Sequence, residues 1–351
     1  MVVVGGMTRL THSGLSITEW QPIVGALPPL NEADWNDAFT RYQATPEYRQ
    51  VNAGMTLAEF KPIFWWEYFH RLLGRVIGIA FLAPLAWFAL RGRIERSLVP
   101  RLLGIFALGG LQGALGWAMV QSGLVDDPRV SQLRLAAHLG LALLIFAAMF
   151  WLALSLLRDP PRASQPAARS LRVGACLVAA LVFLQALSGG LVAGIRAGFA
   201  YNTFPDMNGR WLPDELWLLQ PWYRNLSHNM ATVQFDHRLL ALTLVFAVVF
   251  LAWRGWRSGG AALKRALAIL LLALVVQAGL GIATLLLVVP LSLAALHQAG
   301  AVLLFAAALH VAHTLRPGRE FAFRGRRDHD RLPGSAAAVI EHNKTRLGKK
   351  T

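Results

Sequence analysis

The stretch FHRLLGRVIGIAFLAPLAWFAL, Phe69–Leu90, decides the fold. Its charges sit in the first turns. The rest is apolar for long enough, at about 1.5 Å rise per residue, to cross a bilayer core of about 30 Å. The pattern recurs. Leu102–Val120, Leu135–Leu157 and Val173–Ile195 carry no formal charge, and Val233–Trp253 has charges only near its start. Ala266–Val311 is one apolar run broken at Pro290, which predicts a tight hairpin between two spans. The chain of 351 residues is 55% hydrophobic and 15% charged, where a soluble domain carries about 25%. Seven full spans follow, and the expected class is an all-α integral membrane protein.

Charge asymmetry orients the spans. Arg91–Arg101 and Arg158–Arg172 each hold four arginines and one acid, and Arg254–Arg265 holds three arginines, a lysine and no acid. Thr11–Trp66 instead carries three basic and six acidic residues. The basic loops and the C-terminus are therefore expected to be cytoplasmic, with Thr11–Trp66 outside. The net charge of +15 reads as topology plus attraction to anionic membrane lipid, and no nucleic-acid partner is expected. Met1–Gly6 is too short to span or to act as a signal peptide. It reads as the last third of a hydrophobic helix, so an eighth, N-terminal span is expected of which this sequence retains the end. Cys176 is the single cysteine, which leaves no intramolecular disulfide.

The chain resembles itself. FHRLLGR at 69–75 answers DHRLLAL at 236–242, LQGALG at 111–116 answers VQAGLG at 276–281, and HLGLALLIFAA at 138–148 answers HQAGAVLLFAA at 297–307. GGMTRLTHSGL at 5–15 answers GGLVAGIRAGF at 189–199. The reading is two pseudo-symmetric four-helix bundles, both pointing the same way about an axis along the membrane normal. The N-terminal half is 1–157 with an outer loop at 11–66, and a cytoplasmic linker follows at 158–172. The C-terminal half is 173–315, and 316–351 is a basic tail whose composition reads as disordered. In the outer loop, Asn31 is placed to cap a helix with Trp35, Ala38, Phe39 and Tyr42 on one face. That helix is either an interfacial element lying on the bundle or a lid. Thr56-x-x-Glu59 has the form of a capping box leading into the next span.

Four of the ten histidines, His70, His138, His237 and His297, fall in the outer thirds of spans, and the topology puts all four on one side. Imidazole in hydrocarbon is costly and tends to be functional. A matched pair across each bundle suits the axial positions of a haem iron; a helix-to-helix hydrogen bond is the plainer alternative. Zinc, which wants four ligands, is less suited. His310 and His313 are expected to face headgroups. His12, His228, His329 and His342 have no assigned partner. Arg71, Arg75 and Arg238 follow the histidines closely and either meet haem propionates or snorkel to the interface.

The halves differ at one position. The repeat sets Glu67 opposite Gln234, so the first half alone has a carboxylate one turn from its histidine. A site that moves protons needs such an acid and an electron-transfer site does not; pairing of Glu67 with Arg71 at the surface is the competing reading. This asymmetry suggests chemistry on a ligand in the first half and a permanent cofactor in the second.

NAGMTLAEFKPIFWWEYFHRLLGR (52–75), GGMTRLTHSGLSITEWQPIVGALPPLNEADW (5–35) and GFAYNTFPDMNGRW (198–211) resemble the haem A synthases of bacteria and mitochondria, over most of Val2–Leu315. The resemblance implies an eight-span inner-membrane protein that oxidises the C8 methyl of haem O to a formyl group for cytochrome oxidase. It implies that His237 and His297 bind haem b, that His70 and His138 flank the substrate haem iron, and that Glu67 is catalytic. Haem O synthase is the expected partner, with an electron acceptor the sequence does not identify. The outer-loop cysteine pair of some family members is absent. A di-haem b electron-transfer subunit and a haem-delivery transporter are the rival classes.

Overall fold

The computed structural model describes residues 1–21, 24–125, 128–157 and 169–316. Residues 158–168 of the expected linker, and the expected tail from 317 with His329 and His342, lie outside the described residues. Among the described residues, seven helices are long and apolar enough to cross a membrane. They are α4 (Leu57–Leu90), α5 (Val99–Gln121), α6 (Gln132–Leu157), α7 (Arg169–Gly194), α9 (Met230–Ser258), α10 (Ala261–Leu286) and α11 (Leu291–Thr314). Shorter helices are α1 (Val2–Leu10), α2 (Glu32–Gln43), α3 (Pro46–Gln50) and α8 (Asn225–His228). The chain is an all-α, multi-pass integral membrane protein.

α4 begins at the expected capping box, some turns before the apolar run that opens at Phe69. The capping box at Thr56 and Glu59 nucleates it, with Glu59 returning a bond to the Thr56 N–H at 2.8 Å. The extra turns carry Phe60 and Phe64 outward. There they meet the apolar face of α2, whose Trp35, Ala38, Phe39 and Tyr42 join them in one aromatic cluster. Asn31 caps α2, accepting from the Asp34 N–H at 2.9 Å. The outer helix therefore lies on the bundle.

In the second half α7 packs on α9, α9 on α10, α10 on α11, and α11 back on α7. The main core fills this ring with Val178, Val182, Val248, Leu267, Leu270 and Ala308. In the first half α1 packs on α4, α4 on α5 and α5 on α6, while α6 and α1 reach across to α11. Many apolar side chains of α4 and α5 face outward, Ile79 and Leu111 among them. Lipid is as apolar as they are, so this exposure carries no solvation penalty in a membrane.

α10 and α11 join through the expected hairpin at Pro290. It places both Val288 and Val289 at φ 59, a left-handed conformation that β-branched residues rarely adopt. Asn202 steadies it, donating to the Leu285 carbonyl at 2.9 Å.

The match of 5–15 with 189–199 has a backbone signature. His12 and Arg196 are equivalent positions, both left-handed at φ 54 and 57, just after α1 and α7 end. Arg196 donates to His12 Nδ1 at 2.9 Å.

Candidate functional site

The four span histidines sit on α4, α6, α9 and α11, all half-buried. Each ring lies against a glycine of a neighbouring helix. A Cβ added at Gly5 would stand 3.0 Å from His70 Nε2, and one at Gly116 2.8 Å from His138 Cε1. In the second half the corresponding values are 3.3 Å from Gly189 to His237 Cε1 and 2.8 Å from Gly281 to His297 Cε1. At Gly116 and Gly281 a side chain would force the facing imidazole to move, and at Gly5 and Gly189 it would crowd the ring.

Four residues before three of these glycines stands a glutamine, giving Gln-x-x-x-Gly at 112–116, 185–189 and 277–281. Each glutamine donates to the carbonyl oxygen of the facing histidine: Gln112 to His138 at 3.0 Å, Gln185 to His237 at 3.1 Å, Gln277 to His297 at 2.9 Å. Each also touches that ring, at 3.4, 3.1 and 3.1 Å. Sequence reasoning missed these residues. LQGALG and VQAGLG marked the repeat, but the glutamine in them was not read as a histidine partner.

Glu67 is buried on the α4 face that meets the outer loop. Its Oε1 accepts from Arg71 Nε at 3.0 Å and Nη2 at 2.7 Å, and its Oε2 from Ser16 Oγ at 2.7 Å and the Ile17 N–H at 2.9 Å. The pairing with Arg71 is real but buried, because the loop 13–19 folds over it. Gln234 clamps the opposite loop in the same manner, donating to the Ala197 carbonyl at 2.9 Å and accepting from Arg238 at 3.1 Å.

The arginines are engaged by protein. Arg71 holds the carbonyls of Ile17 and Glu19, Arg75 that of Gln21, and Arg238 those of Tyr201 and Asp206. They strap the outer loops onto the helices, a role that neither the propionate nor the snorkelling reading anticipated. His313 is buried rather than turned to headgroups: Trp151 meets it edge-on at 5.0 Å, and Ser155 Oγ lies 3.2 Å away. Under the outer loop, Glu47 is buried beside the Tyr42 hydroxyl, 3.5 Å away. Burial, helped by the charge of Glu67, raises its carboxyl to about 7.

The donors fit a haem better than a bare ion. Two imidazoles per half stand without a grouped carboxylate or thiolate, and no cluster of three His, Cys, Asp or Glu side chains with metal-site geometry occurs among the described residues. His138 Nδ1 and the Oε1 atoms of Gln112, Gln185 and Gln277 are buried with no hydrogen-bond partner among the described residues. Buried polar atoms in that state are costly unless something else meets them.

Residues 1–309 match the model of the COX15-CtaA family, described as cytochrome oxidase assembly protein. The chain belongs to this family. Among the family's curated members, heme A synthase of Nitrosospira multiformis is 60% identical over 90% of this chain and 89% of its own length. Heme A synthase of Nitrosomonas eutropha is 55% identical over 90% and 89%. That of Rhodospirillum centenum is 52% identical over 90% and 85%. Membership accounts for the motifs at 5–35, 52–75 and 198–211, all within the matched residues. The loops strapped by Arg71 and Arg238 begin in two of those motifs.

Proposed function

We propose that this chain is a haem A synthase, oxidising the C8 methyl of haem O to a formyl group in two successive hydroxylations. The observation that carries the reading is a pair of matched imidazole sites that differ by one charge, Glu67 against Gln234. His70 and His138 hold the iron of the substrate haem O, and His237 and His297 hold haem b.

With imidazoles on both faces of the substrate iron, oxidation proceeds by loss of electrons from the porphyrin edge. Each round converts a C–H bond and a water into a C–OH group, releasing two electrons and two protons. The first gives a hydroxymethyl group and the second a gem-diol, which loses water to the aldehyde. The electrons pass to a separate electron acceptor, and haem b, when held by His237 and His297, supplies one-electron transfer chemistry beside the site. Glu67 contributes a fixed negative charge that stabilises the electron-poor methyl carbon. The four donors on its oxygens favour this role over proton abstraction, because an added O–H would face one of them.

The reading includes the cell inner membrane, the histidine sites toward the periplasm, a cytoplasmic C-terminus and haem O synthase as supplier. Its test is mass analysis of porphyrins extracted from membranes in which the chain is expressed with haem O. Hydroxymethyl and formyl products support it. The pinned Glu67 also suits a di-haem electron-transfer subunit, which predicts two permanent b haems and no modified porphyrin.

A further inference from the structure

His70 and His237 are held by different edges. Ser188 Oγ lies 2.7 Å from His237 Nδ1 and donates its proton to the Gln185 carbonyl at 2.8 Å. A hydroxyl has one proton. With it committed to the carbonyl, the oxygen presents a lone pair to the ring, and Nδ1 carries the hydrogen. His237 Nε2 is thereby left with its lone pair. The Gly189 contact agrees: an added Cβ would meet Cε1 at 3.3 Å and Nδ1 at 3.9 Å, so the Nδ1 edge lies on α7.

His70 is turned the other way. The nearest ring atom to Gly5 is Nε2 at 3.0 Å, ahead of Cε1 at 3.5 Å. The repeat offset of 184 between Gly5 and Gly189 puts Val4 at the place of Ser188 and Met1 at that of Gln185. Valine offers no acceptor to a ring N–H. His138 and His297 do not differ in this way: an added Cβ would meet Cε1 first at both Gly116 and Gly281, at 2.8 Å.

We propose that Ser188 is a positioning residue that makes the second half a retaining haem site, by fixing His237 with its lone pair on Nε2, where iron would take the place of the Gln185 amide nitrogen that lies 3.2 Å away. The valine at the matching place leaves His70 without that constraint, as suits a haem that must enter and leave. This rests on the two-haem reading above. A ligating histidine whose other N–H is hydrogen-bonded is oriented and made a stronger donor, and losing such a partner costs about 10–100-fold in metal affinity.

The test compares Ser188→Val, which copies the first half, with Ser188→Thr, which keeps the hydroxyl. Purified full-length protein is mixed with excess apomyoglobin as a haem trap, and the midpoint potential of the haem b retained is measured. Ser188→Val is expected to release haem b about 10–100-fold faster and to raise its potential, because the weaker donor favours the reduced iron. Ser188→Thr should match the parent in both. Unchanged release and potential in Ser188→Val overturn the proposal, as does a Ser188→Thr variant as impaired as Ser188→Val. A parent protein that binds no haem b overturns instead the two-haem reading on which the proposal stands.

Discussion

Arg71 donates twice to one oxygen of Glu67, at 3.0 and 2.7 Å, while Ser16 and Ile17 hold the other oxygen at 2.7 and 2.9 Å. In the other half Arg238 and Gln234 form the same pair at 3.1 Å. The position clamps a loop in both halves and carries charge in one.

Glu67→Gln therefore tests charge separately from fold. The amide can clamp, as Gln234 does, although one mismatched donor costs about 1–3 kcal/mol. Haem b content should stay at the parental level, while conversion of haem O falls by about 100-fold or more, the scale of losing an electrostatic stabiliser. Porphyrin analysis beside the haem b spectrum reads both. Full conversion in the variant removes Glu67 from the chemistry.

The glycines that back the histidines separate the two sites. A methyl group at Gly116 or Gly281 would stand 2.8 Å from the facing imidazole. Gly281→Ala should displace His297 and lower haem b content. Gly116→Ala should leave haem b intact and reduce haem O conversion. The check is haem b per protein in each variant, together with product formation. Equal haem b loss in both variants would contradict the assignment of two separate sites.

How much of this was legible in the sequence depends on the length scale of each signal. Spans such as Leu135–Leu157 were plain, because a bilayer demands a long apolar run. The hairpin at Pro290 was plain because proline cannot continue a helix. The histidines stood out as polar residues in hydrocarbon. The start of α4 was legible in the capping box at Thr56 and Glu59, although its outward turns, Leu57–Tyr68, pack on α2 and carry no membrane-like run. The clamp on Glu67 was hidden because its partners Ser16 and Ile17 lie about fifty residues away, and one of them acts through backbone. Gln112, Gln185 and Gln277 went unread since a glutamine in a span has no meaning until a facing histidine is known.

Glu47 gives a pH dependence to the outer loop. Its carboxyl rises from 4.5 to about 7 in the folded chain, chiefly by burial. Between those values the folded chain keeps a proton that the unfolded chain has lost. Folding is therefore strongest at low pH, weakens as pH rises from 4.5 to 7 and levels off above. The loss is on the order of 3 kcal/mol at about 1.36 kcal/mol per pH unit. Glu47→Gln should remove this slope, so thermal unfolding of parent and variant should diverge between pH 5 and 7.5. Parallel profiles would assign the slope to other groups.

Phe60 anchors the loop to the bundle. It is fully buried, stacked on Tyr42 at 5.0 Å and tilted against Phe39 at 5.3 Å. Phe60→Ala should cost about 3–5 kcal/mol, localised to α2, α3 and the first turns of α4. Limited proteolysis from the outer side should cut the variant in 32–56 first, with haem b retained in the second half. Loss of haem b together with loop cleavage would show that the two regions unfold as one.

The central claim is that two imidazole pairs serve two haems, one kept and one transformed. The most direct test supplies haem O to purified protein with an electron acceptor and weighs the extracted porphyrins, for the parent and for His237→Ala/His297→Ala. The account predicts haem b plus formyl product from the parent, and neither from the double variant. Parent protein that yields unaltered haem O, or a double variant that keeps its low-spin b-type absorbance, would contradict it.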